Sequence, residues 1–175
     1  MQREPHPFWR FSLRVYARAG VEQACLALQE AGADVNLLLL CCWQGSEGRD
    51  LTKDLLQGAM QAVVAWNQQV VQPLRQVRRI VKQGFPGFPS DLGGSLRKDI
   101  LRVELDAEYL EQLVLTQYAT AAATQPTHET KPEAIAAGNL TRYLELLGIP
   151  STAAIRAYAE TLSCASGPSP AAPSV

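Results

Sequence analysis

Histidine is scarce in this sequence, and the short motifs that mark common catalytic sites are missing. Only His6 and His128 occur among 175 residues, and neither is spaced to activate a serine or a cysteine. The sequence contains no G-x-S-x-G, no P-loop, no G-x-G-x-x-G and no H-E-x-x-H. We therefore expect no catalytic residue, no cofactor and no metal, and the pattern favours a non-enzymatic protein.

A charge imbalance is also lacking. Sixteen basic and seventeen acidic residues give a formal net charge of −1. This balance excludes a generally basic nucleic-acid binder and a polycationic membrane-surface protein, although a local basic patch stays open.

Cysteine pairs and long apolar runs are few. The four cysteines form no C-x-x-C, which indicates a reducing compartment rather than a disulfide framework. The longest wholly apolar run, 37–43, has seven residues, whereas a membrane span needs about 20. No apolar signal region follows the N-terminus. We expect a soluble, cytoplasmic protein.

The positions of proline predict where helices lie. Residues 8–72 and 90–125 contain no proline, and helices tolerate proline only in the first turn or at a kink. Apolar residues recur at helical spacing, and no pair of alternating strands is present. We predict an all-α bundle of about seven helices in one domain, 1–163, followed by a disordered tail, 164–175. The predicted helices are 7–18, 21–31, 34–44, 50–83, 95–121, 130–147 and 151–163.

Two features define the predicted architecture. The segment that follows Asp34 is apolar on nearly every face, which is typical of a buried central helix, with a buried strand as the rival interpretation. Pro73 should kink the first long helix near Gln69. The Gly/Pro-rich break at 84–94 then folds the second long helix back, so that the two form an antiparallel hairpin.

Several motifs together resemble a family of small, predicted all-helical bacterial proteins that is carried as a domain of unknown function. The resemblance covers about residues 3–160. It implies a cytoplasmic bacterial protein and implies no activity, so no catalytic residue is carried over. The motifs are Phe8-Trp9-x-Phe11-Ser12-Leu13-x-Val15-Tyr16, Asp34-Val35-Asn36-Leu37-Leu38-Leu39, Val70-Val71-x-Pro73-Leu74-Arg75-x-x-Arg78-Arg79 and Glu104-Leu105-x-Ala107-Glu108.

A basic stripe on the first long helix is the main candidate binding surface. It comprises Arg75, Arg78, Arg79 and Lys82. If the hairpin folds back near residue 89, Arg75 comes level with Glu104 and Arg79 with Asp99. The stripe is then either one side of an interhelical ion-pair ladder or an anion site that contacts a partner. Phe85 and Phe88, in the adjoining loop, either extend this surface or fold back onto the end of the bundle.

A polar pocket is the second candidate site. It would combine Asp34 and Asn36, at the start of the buried helix, with Glu104 and Glu108. Asp34 is either a helix N-cap or a base or metal ligand in a cleft. A di-metal bundle is disfavoured because no histidine stands at metal spacing on a helix.

Three functions follow, in order of preference. The first is a non-enzymatic protein-interaction or regulatory adaptor that binds an unidentified protein partner through the basic stripe. The second is a binding protein or enzyme for a small phosphorylated or carboxylated ligand in a helical-bundle pocket. The third is DNA binding through the helix-turn-helix-like segment 140–163, which offers only Arg142 and Arg156 as cations. Nucleic-acid and membrane partners are not expected.

Overall fold

The computed structural model describes residues 5–121 and 130–167, apart from the side chains of residues 90, 120 and 121. All regular structure in these residues is helical, which confirms the predicted all-α class. Two consecutive helices are joined without a break by a π-helical turn, so the described residues form seven helical rods. The helices are α1 (Pro7–Tyr16), α2 (Val21–Glu30), α3 (Val35–Ser46), α4 (Lys53–Trp66), the π turn (Asn67–Val71), α5 (Gln72–Gln83), α6 (Ser90–Ala121), α7 (Pro132–Leu146) and α8 (Ala153–Ser166).

The α3 helix lies at the centre of the fold. Every side chain from Val35 to Gly45 is buried, and α1, α2, α6, α7 and α8 all pack against it. Asp34 begins the helix as its N-cap and accepts a hydrogen bond from the backbone N–H of Asn36 at 2.8 Å. The prediction of a buried central helix is confirmed, and the rival strand is wrong.

The closest approach in the core joins α3 to α7 at a glycine. A Cβ atom on Gly45 would lie 2.5 Å from the backbone N and Cα of Ala136. Only glycine therefore allows the two helix backbones to meet at this point. Asn139, one turn further along α7, donates to the carbonyls of Cys41 and Arg49 and accepts from Leu51 N.

The long hairpin is antiparallel, as predicted. Arg75 contacts Glu104, Trp66 Nε1 donates to the carbonyl of Ala107 at 3.0 Å, and Gly58 lies beside Tyr118. Proline lacks an N–H and cannot continue the α-helical hydrogen bonds of the preceding turn. At the place near Gln69 where Pro73 is expected to kink the helix, the structure has a π-helical turn.

Several predicted helix ends are wrong. The α6 helix begins at Ser90 rather than at residue 95, because Gly93 N donates to the carbonyl of Pro89 at 3.0 Å and the helix accommodates both glycines. The α7 helix begins at Pro132, with Lys131 as its N-cap, rather than at residue 130. The α8 helix begins at Ala153 rather than at residue 151, and Thr152 caps it by accepting a hydrogen bond from Ile155 N.

The last helix also runs beyond the predicted domain boundary at residue 163. Ala165 and Ser166 are buried, and the Arg18 guanidinium donates to the carbonyl of Ala165 at 2.6 Å, which holds this turn against the bundle. The remainder of the predicted tail, 168–175, lies outside the described residues, as do residues 122–129 with His128. No helix within the described ranges combines the length and the apolar character that crossing a membrane requires.

Candidate functional site

A polar cluster interrupts the apolar core where three elements meet. We define the polar cluster as Asp34, Asn36, Asn67, Glu111 and Gln112, supplied by the start of α3, the π turn and the middle of α6. All of these side chains are buried except Asp34, which is half-buried. Buried polar groups of this kind need partners, and the cluster supplies them internally.

Asn67 joins the two carboxyl groups of the cluster. Its Nδ2 donates to Asp34 Oδ2 at 2.7 Å and to Glu111 Oε1 at 3.4 Å, while its Oδ1 accepts from Gln72 Nε2 at 2.8 Å. The π turn places Asn67 in this position, and π turns occur frequently at functional sites. The π turn that interrupts the long helix therefore also supplies a member of the polar cluster.

Asn36 connects the cluster to α1 and α6. Its Nδ2 donates to Glu111 Oε2 at 3.0 Å, and its Oδ1 accepts from Gln112 Nε2 at 2.8 Å. Gln112 in turn accepts from Ser12 Oγ at 3.2 Å. On the opposite side, Tyr143 Oη accepts from the backbone N–H of Asp34 at 2.9 Å. The cluster thus links four helices through specific hydrogen bonds.

The surroundings of Glu111 raise the pKa of its carboxyl group far above the ordinary value for glutamate. Burial is the largest cause, and the neighbouring negative charge of Asp34 adds to it, so that the pKa of Glu111 rises to about 9. Hydrogen bonds from Asn36 and Asn67 oppose this rise. Two adjacent carboxyl groups in a buried site cannot both carry charge at low cost, which favours the neutral form of Glu111.

This arrangement predicts a pH-dependent stability. Between pH 4.5, the ordinary pKa of glutamate, and about 9, the native state binds one more proton than the unfolded state. The free energy of unfolding therefore falls as the pH rises through this window. We expect Glu111→Gln, which keeps a donor toward Asp34 without a titrating group, to flatten this dependence. At pH 8 it should raise stability by roughly 2 kcal/mol. Urea unfolding from pH 5 to 9 measures both effects, and equal slopes for the two proteins would contradict the assignment.

The basic stripe divides into two parts. Arg75 donates through Nε to Glu104 Oε1 at 3.2 Å and also pairs with Glu108, and Arg78 forms two hydrogen bonds with Glu104. These contacts form the interhelical ion-pair ladder, with Arg75 level with Glu104 as the predicted register requires. Burial raises the pKa of Glu108, and the Arg75 guanidinium opposes that rise.

Arg79 and Lys82 differ from the other two members of the stripe. Both are exposed, and neither forms an ion pair with any described residue, so the predicted pairing of Arg79 with Asp99 is absent. They lie at the start of a longer basic surface that we call the hairpin tip, defined as residues 79–102. Only this part of the stripe is free to contact another molecule.

The hairpin tip is both basic and apolar on its surface. It carries five basic residues against two acidic ones, and none of its described side chains is buried. Phe85 and Phe88 are 53% and 75% exposed and contact one another edge to face at 5.9 Å, so they do not fold back onto the bundle. The other exposed large apolar residues are Ile80, Leu92, Leu96 and Leu101.

Cavities surround the polar cluster. One of about 500 Å³ lies between the end of α2 and α5, and its lining includes Asp34, Asn67, Arg75 and Arg79. A second lobe, of about 330 Å³, shares Asp34 and Asn67 with the first. A third, also of about 500 Å³, lies between α1, α2, α5 and α6 and has a more apolar lining. The cavity that the small-ligand hypothesis requires near Asp34, Asn36 and the arginines is therefore present.

The structure brings the predicted pocket residues into two neighbouring groups. Asp34 and Asn36 belong to the polar cluster, whereas Glu104 and Glu108 belong to the ion-pair ladder, and Arg75 borders both. Asn67, Gln72, Gln112 and Tyr143 were not predicted. Only Glu111 carried a sequence signal, because it shares a helix face with Glu104 and Glu108. Among the described residues, no group of three histidine, cysteine or acidic side chains is placed to hold a metal ion.

The helix-turn-helix-like segment keeps its cations within the chain. Arg142 pairs with Asp50 at 2.8 Å and also donates to the carbonyl of Leu51. Arg156 donates to the carbonyl of Ser151. These contacts stabilise an αα-hairpin, and they occupy the side chains that phosphate groups would need.

These observations define a class of protein: an all-helical module with a polar cluster in its core and a projecting basic hairpin. The chain belongs to the family described as a protein of unknown function (DUF2390), whose model matches residues 7–115. The match covers the polar cluster, the ladder and the hairpin tip. Neither the curated proteins nor the solved structures contain a match.

Proposed function

We propose that this protein is a non-enzymatic adaptor whose hairpin tip docks onto an acidic, partly apolar segment of a protein partner. The observation that supports this proposal is the combination of unpaired cations and exposed apolar side chains on one projecting element. In α5 no side chain is buried, although its partner helix α6 is anchored in the core further along. The hairpin tip, in which no described side chain is buried, is a surface available to another molecule.

The charges of the hairpin tip indicate what the partner offers. Its basic side chains, which form no ion pairs with described residues, are Arg79, Lys82, Arg97, Lys98 and Arg102. Guanidinium groups bind carboxylates in bidentate geometry, and opposite charges accelerate association. A second copy of the same surface would bring like charges together, which disfavours self-association through this element.

The two phenylalanines supply the apolar part of the contact. Aromatic residues are frequent among the side chains that contribute most binding energy at protein interfaces. Phe85 and Phe88 lie in the short connection between the two long helices. Two glycines of this connection, Gly84 and Gly87, have positive φ. This loop forms the turn of the hairpin and leaves both rings exposed. We therefore assign them the anchoring role and the cations the orienting role.

The cysteines and the resemblance to a bacterial protein family support a cellular compartment for the adaptor. All four thiols are free, three of them buried, which supports a reducing compartment. We accordingly place the adaptor and its partner in the bacterial cytoplasm.

Photo-crosslinking from the hairpin tip tests the proposal. We expect a photoreactive phenylalanine analogue at position 88 to capture one protein in nuclease-treated cells, and the captured peptide should be acidic. The same analogue at Leu13, which is 55% exposed on α1, is the matched control and should not capture that protein. Capture of nucleic acid or lipid at position 88, equal capture from both positions, or no capture would overturn the proposal.

A further inference from the structure

We propose that the cleft between α2 and α5 binds a small molecule that carries both an ammonium group and an acidic group. The cleft shares Arg79 with the hairpin tip and is otherwise lined by residues outside it, and the inference does not depend on the proposed adaptor function. It rests on the cavity of about 500 Å³ and its adjoining lobe of about 330 Å³, which have Asp34, Asn67 and Gln72 in common. The volumes suit a metabolite rather than a macromolecule.

The walls of the cleft carry opposite charges. Glu30 and Asp34 lie on the side of α2, and Arg75 and Arg79 lie on the side of α5. Arg75 is neutralised by the ladder, whereas Arg79 pairs with no acidic group among the described residues. A carboxylate or phosphate on a ligand would supply the anion that Arg79 lacks.

Asp34 is the matching anionic group. Its oxygens accept from Asn36 N and Asn67 Nδ2, but no basic side chain within the described ranges forms an ion pair with it. Each carboxylate oxygen accepts more than one hydrogen bond, so Asp34 has capacity for an ammonium group from the cleft. The nearby amides of Gln29, Gln72 and Gln76 supply further polar contacts.

The charged groups around Asp34 indicate which charge a ligand carries where it meets this side chain. The titratable and charged groups around the Asp34–Glu111 pair are Glu108 and Arg75, which lie in the ladder, and Tyr143, whose pKa burial raises well above its usual range. Because Glu108 is paired to Arg75 and the raised pKa of Glu111 favours its neutral form, Asp34 is the carboxylate of the polar cluster that remains for an ammonium group. Glu30, the other acidic residue of the lining, is exposed to solvent.

The second lobe accommodates an apolar part of the ligand. Its apolar lining consists of Leu37, Met60, Val63, Val64 and Leu147. The expected ligand therefore has an aliphatic portion beside its charged groups, as ω-amino acids and amine-bearing phosphates do.

Two sets of matched probes test this site on the full chain by NMR titration. The first is 6-aminohexanoate with hexanoate and hexylamine, and the second is phosphoethanolamine with ethyl phosphate and ethanolamine. We expect the doubly charged member of at least one set to bind about tenfold more tightly than either singly charged analogue. Its chemical-shift changes should be confined to residues 29–37, 60–79 and 143–147. Binding by none of the probes, or equal binding within both sets, would overturn the proposal.

Two variants at neighbouring carboxyl groups locate the ammonium contact. Asp34→Asn removes the charge but keeps an equally good helix N-cap, so the fold should survive. This variant should reduce affinity for the doubly charged probe to that of the acidic analogue. Glu111→Gln mimics the protonated side chain and should keep affinity within about twofold. If Asp34→Asn leaves affinity unchanged while its thermal unfolding matches wild type, the ammonium contact is not at Asp34 and the proposal fails.

Discussion

Replacing Arg75 with alanine should lower the free energy of unfolding by about 3 kcal/mol or more. The side chain of Arg75 is 12% exposed, and that of Glu104 is 4% exposed. Removing the guanidinium leaves Glu108 without its cation and Glu104 with Arg78 alone. An uncompensated buried charge costs far more than the net value of an exposed ion pair.

The matched control is Arg79→Ala, four residues further along the same helix. Arg79 is exposed and forms no ion pair with described residues, so its loss should change stability by less than about 0.5 kcal/mol. Urea unfolding of both variants at pH 8 and pH 5 makes the comparison. The loss for Arg75→Ala should be smaller at pH 5, where Glu108 takes up a proton more readily. Similar losses for the two variants would contradict the division of the stripe into a structural and a free part.

Replacing Gly45 with alanine should also lower stability by about 3 kcal/mol, although it adds only one methyl group. The new Cβ would lie 2.5 Å from the backbone of Ala136, and backbone atoms in a packed helix pair cannot move aside as a flexible side chain does. The α3 and α7 helices would have to separate. Because α3 is the central helix, every element packed against it would be affected.

Gly138 on α7 supplies the opposite control. A Cβ at this position meets no atom within 4 Å, and the residue lies inside a helix. Gly138→Ala should therefore raise the free energy of unfolding by about 0.5 to 1 kcal/mol, since alanine restricts the unfolded chain and favours helix. Thermal and urea unfolding of both variants measure the difference. A stable Gly45→Ala protein would show that the two helices do not approach as closely as described.

The fold could largely be predicted because its strongest signals are local. The proline-free stretches and the all-round apolar character of α3 depend only on nearby residues, and these predictions are confirmed. Helix ends were less predictable. Gly93 and Gly94 favour a turn by intrinsic preference, yet α6 runs through both because its first turn forms directly after Pro89.

The candidate sites were predictable only in part because they depend on contacts between distant residues. Asp34 and Asn36 adjoin an obvious buried helix, and Arg75 and Glu104 follow from the hairpin register. Asn67 has no such signal, since its position beside Asp34 depends on the π turn and on how this turn packs against α6. Which cations of the basic stripe are unpaired likewise depends on the ion-pair ladder. From the sequence the four cations are equivalent, whereas the structure divides them into two that pair with α6 and two that form no ion pair with described residues.

This distinction also changes how the adaptor function is best tested. A charge reversal that includes Arg75 would damage the ladder, so that loss of binding and loss of folding could not be separated. The pair Arg79→Glu and Lys82→Glu avoids this because both side chains are exposed. Arg10→Glu with Lys131→Glu changes the net charge equally at exposed positions outside the hairpin tip and serves as the control.

The measurement that tests the central claim most directly is the affinity of the purified partner, captured at position 88, for these two double variants and wild type. We predict that Arg79→Glu with Lys82→Glu weakens binding at least about tenfold and reduces its salt dependence. The control pair should stay within about twofold of wild type, and all three proteins should unfold at similar temperatures. Equal affinities for wild type and the Arg79/Lys82 variant would contradict docking through the hairpin tip.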